Sequence, residues 1–145
     1  HRAAGSGEIV EIHGNLQELA CTACSHQEAV ADMSGREIPP RCPVCGAVLR
    51  PKVVLFGEAL PEDQLDRFID AFQEGFDIVF SIGTSSVFPY IVQPVVLAAA
   101  SGIPTVEINP LRTQLSDIVD FHIPLGAAEA MTGIVHRLGI GEFSC

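Results

Sequence analysis

Two Cys-x-x-Cys pairs, Cys21-Thr-Ala-Cys24 and Cys42-Pro-Val-Cys45, stand 17 residues apart. Two thiolates two residues apart bite a single ion from a tight turn, and a second such turn completes a tetrahedron. Soft sulfur selects zinc among the common divalent ions, with iron the main competitor. Free or disulfide-bonded cysteines are the competing reading of the same pairs. Four thiolates leave no open position for water, so the expected ion is one structural zinc held by Cys21, Cys24, Cys42 and Cys45. Residues 20–50 also hold Pro39, Pro40 and Pro43 and show little periodicity. The expectation is a small inserted module held by metal rather than by apolar burial. Close pairs without a leader-like segment point to a reducing compartment, here the cytoplasm. The fifth cysteine, Cys145, reads as a frayed terminus.

The rest of the chain alternates strand and helix. EIVEIH, residues 8–13, reads as a strand ending near His13-Gly14-Asn15. PKVVLFG (51–57) resumes strand composition. In the next segment Leu65, Phe68, Ile69 and Phe72 fall on one helical face, after Pro61 and the acidic Glu62 and Asp63. FDIVFSIG (76–83) reads as a strand buried on both faces. An apolar helix to Gly102, the strands IPTVEINP and VDFHIPL, and a helix closing at Gly139 follow. This order predicts an α/β fold, a Rossmann-like parallel sheet with helices on both faces. Residues 1–19 and 51–145 belong to that domain and 20–50 to the zinc module.

Eighteen acidic residues oppose eight basic ones, a formal charge of −10. Such a surface repels nucleic acid and anionic membrane, so direct binding to either is not expected. No apolar run reaches membrane-spanning length.

Ligands of open parallel sheets bind at the carboxyl ends of strands. Gly83-Thr84-Ser85-Ser86, Asn109-Pro110-Leu111 and Leu125-Gly126-Ala127 each follow an expected strand. Together they suggest a nucleotide, although a G-x-G-x-x-G fingerprint is absent from these residues. Each alone also reads as an ordinary cap or turn. His13, alone, reads as a satisfied histidine at a strand end. His26 reads as a solvated loop residue, and His122 and His136 as structural or solvated.

Taken together, these segments resemble the sirtuins, the NAD-dependent protein-lysine deacylases. HRAAGS resembles the tail of the segment that ends Asn-Ile-Asp-x-Leu-His. EIHGN is similar to the catalytic His-Gly segment, and the four cysteines match the structural zinc module. RPKVVLFGEALP resembles the Pro-x-x-Val-x-Phe-Gly-Glu-x-x-Pro segment. GTSSVFPYIVQP resembles the Gly-Thr-Ser segment with its two trailing prolines, and EINP the Asn after a strand. The family's opening Gly-Ala-Gly-x-Ser loop, its Phe-Arg loop and its Gln-Asn-Ile-Asp segment have no counterpart here. The resemblance therefore implies the C-terminal part of a catalytic domain, inactive as these 145 residues alone.

What the resemblance implies is specific. NAD is the co-substrate, and acylated lysine peptides or proteins are the partners. The acyl oxygen attacks the ribose carbon and nicotinamide leaves. His13, as general base, then helps a ribose hydroxyl attack the imidate, giving free lysine and an O-acyl-ADP-ribose. Gly83, Thr84, Ser85, Asn109, Pro110, Leu111 and Ala127 carry over as NAD contacts. Val54, Phe56, Gly57, Glu58 and Val87 carry over as the substrate cleft, where backbone near Val54 and Gly57 could add the peptide as an extra strand. Two other readings compete: a nucleotide-binding domain without lysine chemistry, and a zinc-ribbon interaction module on an α/β scaffold. The first has no use for the cysteine insert or EIHGN; the second has none for GTSS, EINP and FGE.

Overall fold

The computed structural model describes residues 1–139; the reading of Cys145 falls outside them. The chain divides into two compact units, His1–Gln73 and the residues from Glu74 onward.

The first unit is built on an antiparallel sheet. Strand β1 spans Gly14–Cys21, β2 Gln27–Ala29 and β3 Leu49–Val53. Their order is β2-β1-β3, with Leu19 opposite Pro51 and Cys21 opposite Leu49. The expected module boundaries near residues 20 and 50 thus fall inside β1 and β3. The cysteine turns are extensions of one continuous sheet. The strand expected at 8–13 is not there. The Gly14 amide bonds the Glu11 carbonyl at 2.8 Å, closing a turn over Glu11–Gly14, and the strand starts only at Gly14. PKVVLFG likewise contributes to this antiparallel sheet and not to a parallel one. The small core is Leu19, Val30, Cys42 and Leu49, with Cys21 and Cys24 packed against it. Helix α1, Glu62–Glu74, begins as its acidic first turn predicts. The Gln64 side chain accepts the Glu11 amide at 3.0 Å, tying the helix to the turn ahead of β1.

The second unit carries the parallel sheet. Strands β4 (Val79–Ile82), β5 (Thr105–Ile108) and β6 (Phe121–Ile123) pair in that order, all parallel. Helix α2 spans Pro89–Ala100, with Pro89 in its first turn, where a missing amide hydrogen costs nothing. Helix α3 spans Ala127–Leu138 and ends at Gly139, whose φ of 65° is the left-handed stop glycine favours. Central β5 is buried along its whole length. Val106 and Ile108 pack on Ala130 of α3, with Ile123 and Ile134 around them. β4 is not buried on both faces as expected. It is an edge strand of this sheet, and Phe80 and Ile82 are each about two-fifths exposed.

Candidate functional site

The four cysteine sulfurs converge. Cys21 Sγ lies 3.5 Å from Cys45 Sγ, Cys24 Sγ lies 3.7 Å from Cys42 Sγ, and Cys45 Sγ lies 3.6 Å from Cys24 Sγ. A zinc–sulfur bond of about 2.3 Å sets a tetrahedron edge of about 3.8 Å. The measured separations match that edge, and all four sulfurs lie within 4.8 Å of one another. No pair is a disulfide. The turns are fixed by backbone. Thr22 and Cys42 amides bond the Val48 and Ala47 carbonyls at 3.0 and 2.7 Å, and the Gly46 amide bonds Cys42 at 2.9 Å.

The electrostatics call for a cation. The Ala23 amide, 3.3 Å away, helps hold the Cys21 thiol down to about 6. The His26 amide favours a Cys24 thiolate too, yet the adjoining Cys21 sulfur and burial push Cys24 up to about 12. Four thiols this close cannot all ionise unless a positive ion sits among them. The set fits one structural zinc held by Cys21, Cys24, Cys42 and Cys45. The imidazole of His26 is not among them. It is half-buried and pairs with Glu28 at 3.3 Å, where a solvated loop residue was expected.

His13 sits at the end of the turn that precedes β1, and it is exposed. The turn is held from three sides. Arg2 grips Glu11 through two bonds of 2.8 and 2.6 Å, and its guanidinium holds that carboxyl below the usual range. Asn15 donates to Glu11 at 3.2 Å, and Gln64 accepts the Glu11 amide. The His13 carbonyl accepts the Val54 amide at 3.0 Å. His13 and the expected substrate segment therefore meet through one backbone bond. Gly14 is required by this approach. Its φ is 78°, and a Cβ there would stand 2.0 Å from the Lys52 carbonyl oxygen.

Beyond β3 the chain turns at Leu55–Glu58. Phe56 is 95 % exposed, and Gly57 has φ 87°. Both Glu58 oxygens are committed to the turn itself. Arg50 donates at 2.6 and 3.0 Å and the Leu55 amide at 2.9 Å. The Arg50 guanidinium holds the Glu58 carboxyl down to about 2. The Val54 amide is likewise already engaged by His13. β3 is nevertheless an edge strand of its sheet, the place where an added strand would pair.

In the second unit the three expected nucleotide segments share one sheet edge. Gly83 follows β4, Asn109 follows β5, and Ala127 opens α3 just after β6. The strands are parallel neighbours, so these ends align. The Gly83 amide bonds the Ile108 carbonyl at 2.9 Å, and the Asn109 amide bonds the Ile123 carbonyl at 3.1 Å. Gly83, Ser85, Val87, Pro110, Leu111 and Ala127 are exposed, while Thr84 is half-buried. Asn109 is buried and acts as a staple. Its Nδ2 donates to the Thr84 carbonyl at 2.8 Å, and its Oδ1 accepts the Leu111 amide at 3.0 Å. Ser86 is buried with φ 54°, and its hydroxyl lacks a hydrogen-bond partner. An orphaned buried hydroxyl beside an exposed Gly-Thr-Ser loop, on the carboxyl edge of a parallel sheet, fits a polar ligand such as NAD.

A sequence profile of the Sir2 family matches residues 1–89. The chain belongs to the Sir2 family. This Sir2-family chain is 42 % identical over 141 residues to NAD-dependent protein deacylase 2 of Pseudomonas syringae pv. tomato, covering 95 % of the chain and 57 % of the relative. It is 37 % identical over 145 residues to the NAD-dependent protein deacylase of Pyrococcus furiosus, with 95 % and 57 % covered. The chain thus spans a little over half the length of these relatives. Among solved structures, a Sir2 homologue in complex with NAD superposes with a TM-score of 0.85 at 35 % identity, covering 97 % of this chain and 56 % of that one. Sir2Tm bound to a propionylated peptide gives 0.85 at 28 % identity, covering 97 % and 60 %.

The four cysteines converge and the three strand-end segments lie on one end of the parallel sheet, where the sequence put them. Glu107 had no reading in the sequence; it is buried below Asn109, and His122, read as structural or solvated, is half-buried beside it. The available signal was a carboxylate inside the buried run TVEIN.

Proposed function

We propose that the protein removes acyl groups from protein lysines at the expense of NAD. Acyl-lysine, NAD and water become lysine, nicotinamide and an O-acyl-ADP-ribose. The observation that carries the reading is the shared carboxyl edge of β4, β5 and β6 in a Sir2-family chain, with the Gly83–Ser86 loop stapled to it by Asn109. NAD, when bound, supplies the ribosyl carbon that accepts the acyl oxygen. Gly83, Thr84, Ser85, Asn109, Pro110, Leu111 and Ala127 bind and orient NAD. His13 accepts a proton from a ribose hydroxyl; an exposed imidazole on a braced turn suits that task. Val54, Phe56, Gly57 and Val87 hold the acyl-lysine peptide, the edge of β3 offering backbone for strand addition. Glu58 serves the same cleft indirectly, by fixing the turn that carries Phe56 and Gly57. The zinc holds the cysteine turns together and takes no part in the chemistry. Four unpaired thiols suit a reducing compartment such as the cytoplasm. Among the described residues no helix is long and apolar enough to cross a membrane.

The test is direct. Purified full-length protein is incubated with NAD and an acetyl-lysine peptide, and nicotinamide, free lysine peptide and O-acetyl-ADP-ribose are measured together. Equal amounts of the three are expected. NAD hydrolysis with the acyl-lysine peptide left intact, in protein shown to be folded and to contain zinc, overturns the deacylase reading.

A further inference from the structure

The cluster under the Gly83–Ser86 loop begins with a carboxyl group in an unusual place. Glu107 lies in the middle of central strand β5 and is 1 % exposed. A buried carboxylate is costly unless hydrogen-bonded, so its partners matter. Thr113 and Ser116 hydroxyls donate to its two oxygens. Both hydroxyls belong to the segment that follows Asn109, which Glu107 therefore anchors from below. The imidazole of His122, on neighbouring β6, lies 3.7 Å from the same carboxylate. Its Nε2 is 3.1 Å from the Asn109 carbonyl oxygen. A carbonyl only accepts, so Nε2 carries the proton in that bond.

The segment anchored in this way reaches forward to the Gly83–Ser86 loop at two points. Asn109 Nδ2 donates to the Thr84 carbonyl, and Gln114 Nε2 donates to the Ser86 carbonyl. Ser86 is the described non-glycine residue with a positive φ, so its backbone is a conformation that needs outside support. The support runs from Glu107 through Thr113 and Ser116 to Gln114, and from His122 through Asn109 to Thr84. Neither Glu107 nor His122 is exposed enough to serve as a ligand-contacting group; His122 has 14 % of its side chain exposed.

We propose that Glu107 and His122 are positioning residues that set the Thr84–Ser86 backbone in its NAD-binding conformation. The proposal rests on the NAD reading above. Loop preorganisation lowers the ordering cost of binding, so loss of the network raises the dissociation constant for NAD without touching the peptide side.

The test uses the purified full-length protein with His122→Leu, His122→Gln and Ser116→Ala. Gln places an N–H donor close to the position of Nε2, while Leu keeps the bulk and loses the donor. His122→Leu is expected to weaken NAD binding and raise KM for NAD by about fivefold to tenfold, the value of one lost loop hydrogen bond. The peptide KM, and kcat at saturating NAD, should stay within about twofold. His122→Gln should restore NAD affinity, and Ser116→Ala should weaken it as His122→Leu does, which keeps the test sound if His122→Leu folds poorly. Amide exchange at Leu111, whose N–H is held by Asn109, should quicken in His122→Leu and recover in His122→Gln. Wild-type NAD affinity in both His122→Leu and Ser116→Ala overturns the proposal. So does a His122→Gln variant as weak as His122→Leu, since that pattern means packing alone. If wild-type protein binds no NAD, the NAD reading fails instead. The exchange comparison then still decides the network, and unchanged Leu111 exchange overturns it.

Discussion

Gly14→Ala tests how His13 is held, and a second glycine provides its control. A Cβ at Gly14 would lie 2.0 Å from the Lys52 carbonyl oxygen and 3.1 Å from Val53 Cα. Both atoms are backbone, so no rotamer change relieves the clash. Ordinary contact begins at about 3.5 Å, so β1 and β3 must part by about 1.5 Å at this pair. Parting them stretches the Val54 amide bond to His13, at 3.0 Å. That bond is worth roughly 1 kcal/mol net. The left-handed φ of 78° adds strain for any residue with a Cβ, roughly 1–2 kcal/mol. The sum is roughly 2–3 kcal/mol, which lowers the melting temperature by about 4–12 °C in a chain of this size. Gly57 has φ 87° but nothing within 4 Å of its would-be Cβ. Gly57→Ala therefore carries the φ term alone, about 2–8 °C. Thermal melts and urea titrations of the two variants beside wild type give the comparison. Equal losses for Gly14→Ala and Gly57→Ala refute the claim that close approach of β3 is what requires a glycine after His13.

Three further outcomes are expected. Cys42→Ser and Cys45→Ser should both lose the zinc, one ion per chain by colorimetric release, and both should unfold the cysteine turns. A packing role would instead spare exposed Cys45, so a stable, zinc-loaded Cys45→Ser protein contradicts the ligand set. His13→Ala should leave the melting temperature unchanged, because the side chain is exposed, yet reduce steady-state formation of free-lysine peptide and O-acyl-ADP-ribose by about 10²–10⁴-fold; near-normal turnover rules out the general base. Glu58 titrates lower in the folded protein than unfolded, so its stabilisation is present above about pH 4.5 and fades as pH falls toward about 2. The melting-temperature gap between wild type and Glu58→Gln should therefore narrow between about pH 5 and pH 3; a constant gap means the Arg50 pair is not the cause.

The features legible in the sequence were those whose geometry is local. Two residues between cysteines fix a turn, so the metal site follows from spacing alone, and the sulfur separations agree with it. The strand-end loops were legible because parallel strands must end on one edge, which placed Gly83, Asn109 and Ala127 together. The start of β1 was not. EIVEIH alternates like a strand, but a turn at Glu11–Gly14 interrupts it, and that turn depends on distant partners, Arg2 and Gln64. Burial of β4 was misjudged for a similar reason. An apolar run tells which residues avoid water, not where in the sheet the strand lies.

Glu107 shows the opposite limit. In the run TVEIN a single carboxylate breaks an apolar strand, and composition alone offers no partner for it. The partners lie six and nine residues ahead, in Thr113 and Ser116, and on the next strand, in His122. None of these pairings follows a helical or strand period, so no periodicity argument reaches them. A carboxyl group in the centre of a buried strand is costly unless its hydrogen bonds are met. Here they organise the segment that grips Thr84 and Ser86. Glu107 thereby anchors, from inside a buried strand, the segment that holds the Gly83–Ser86 loop.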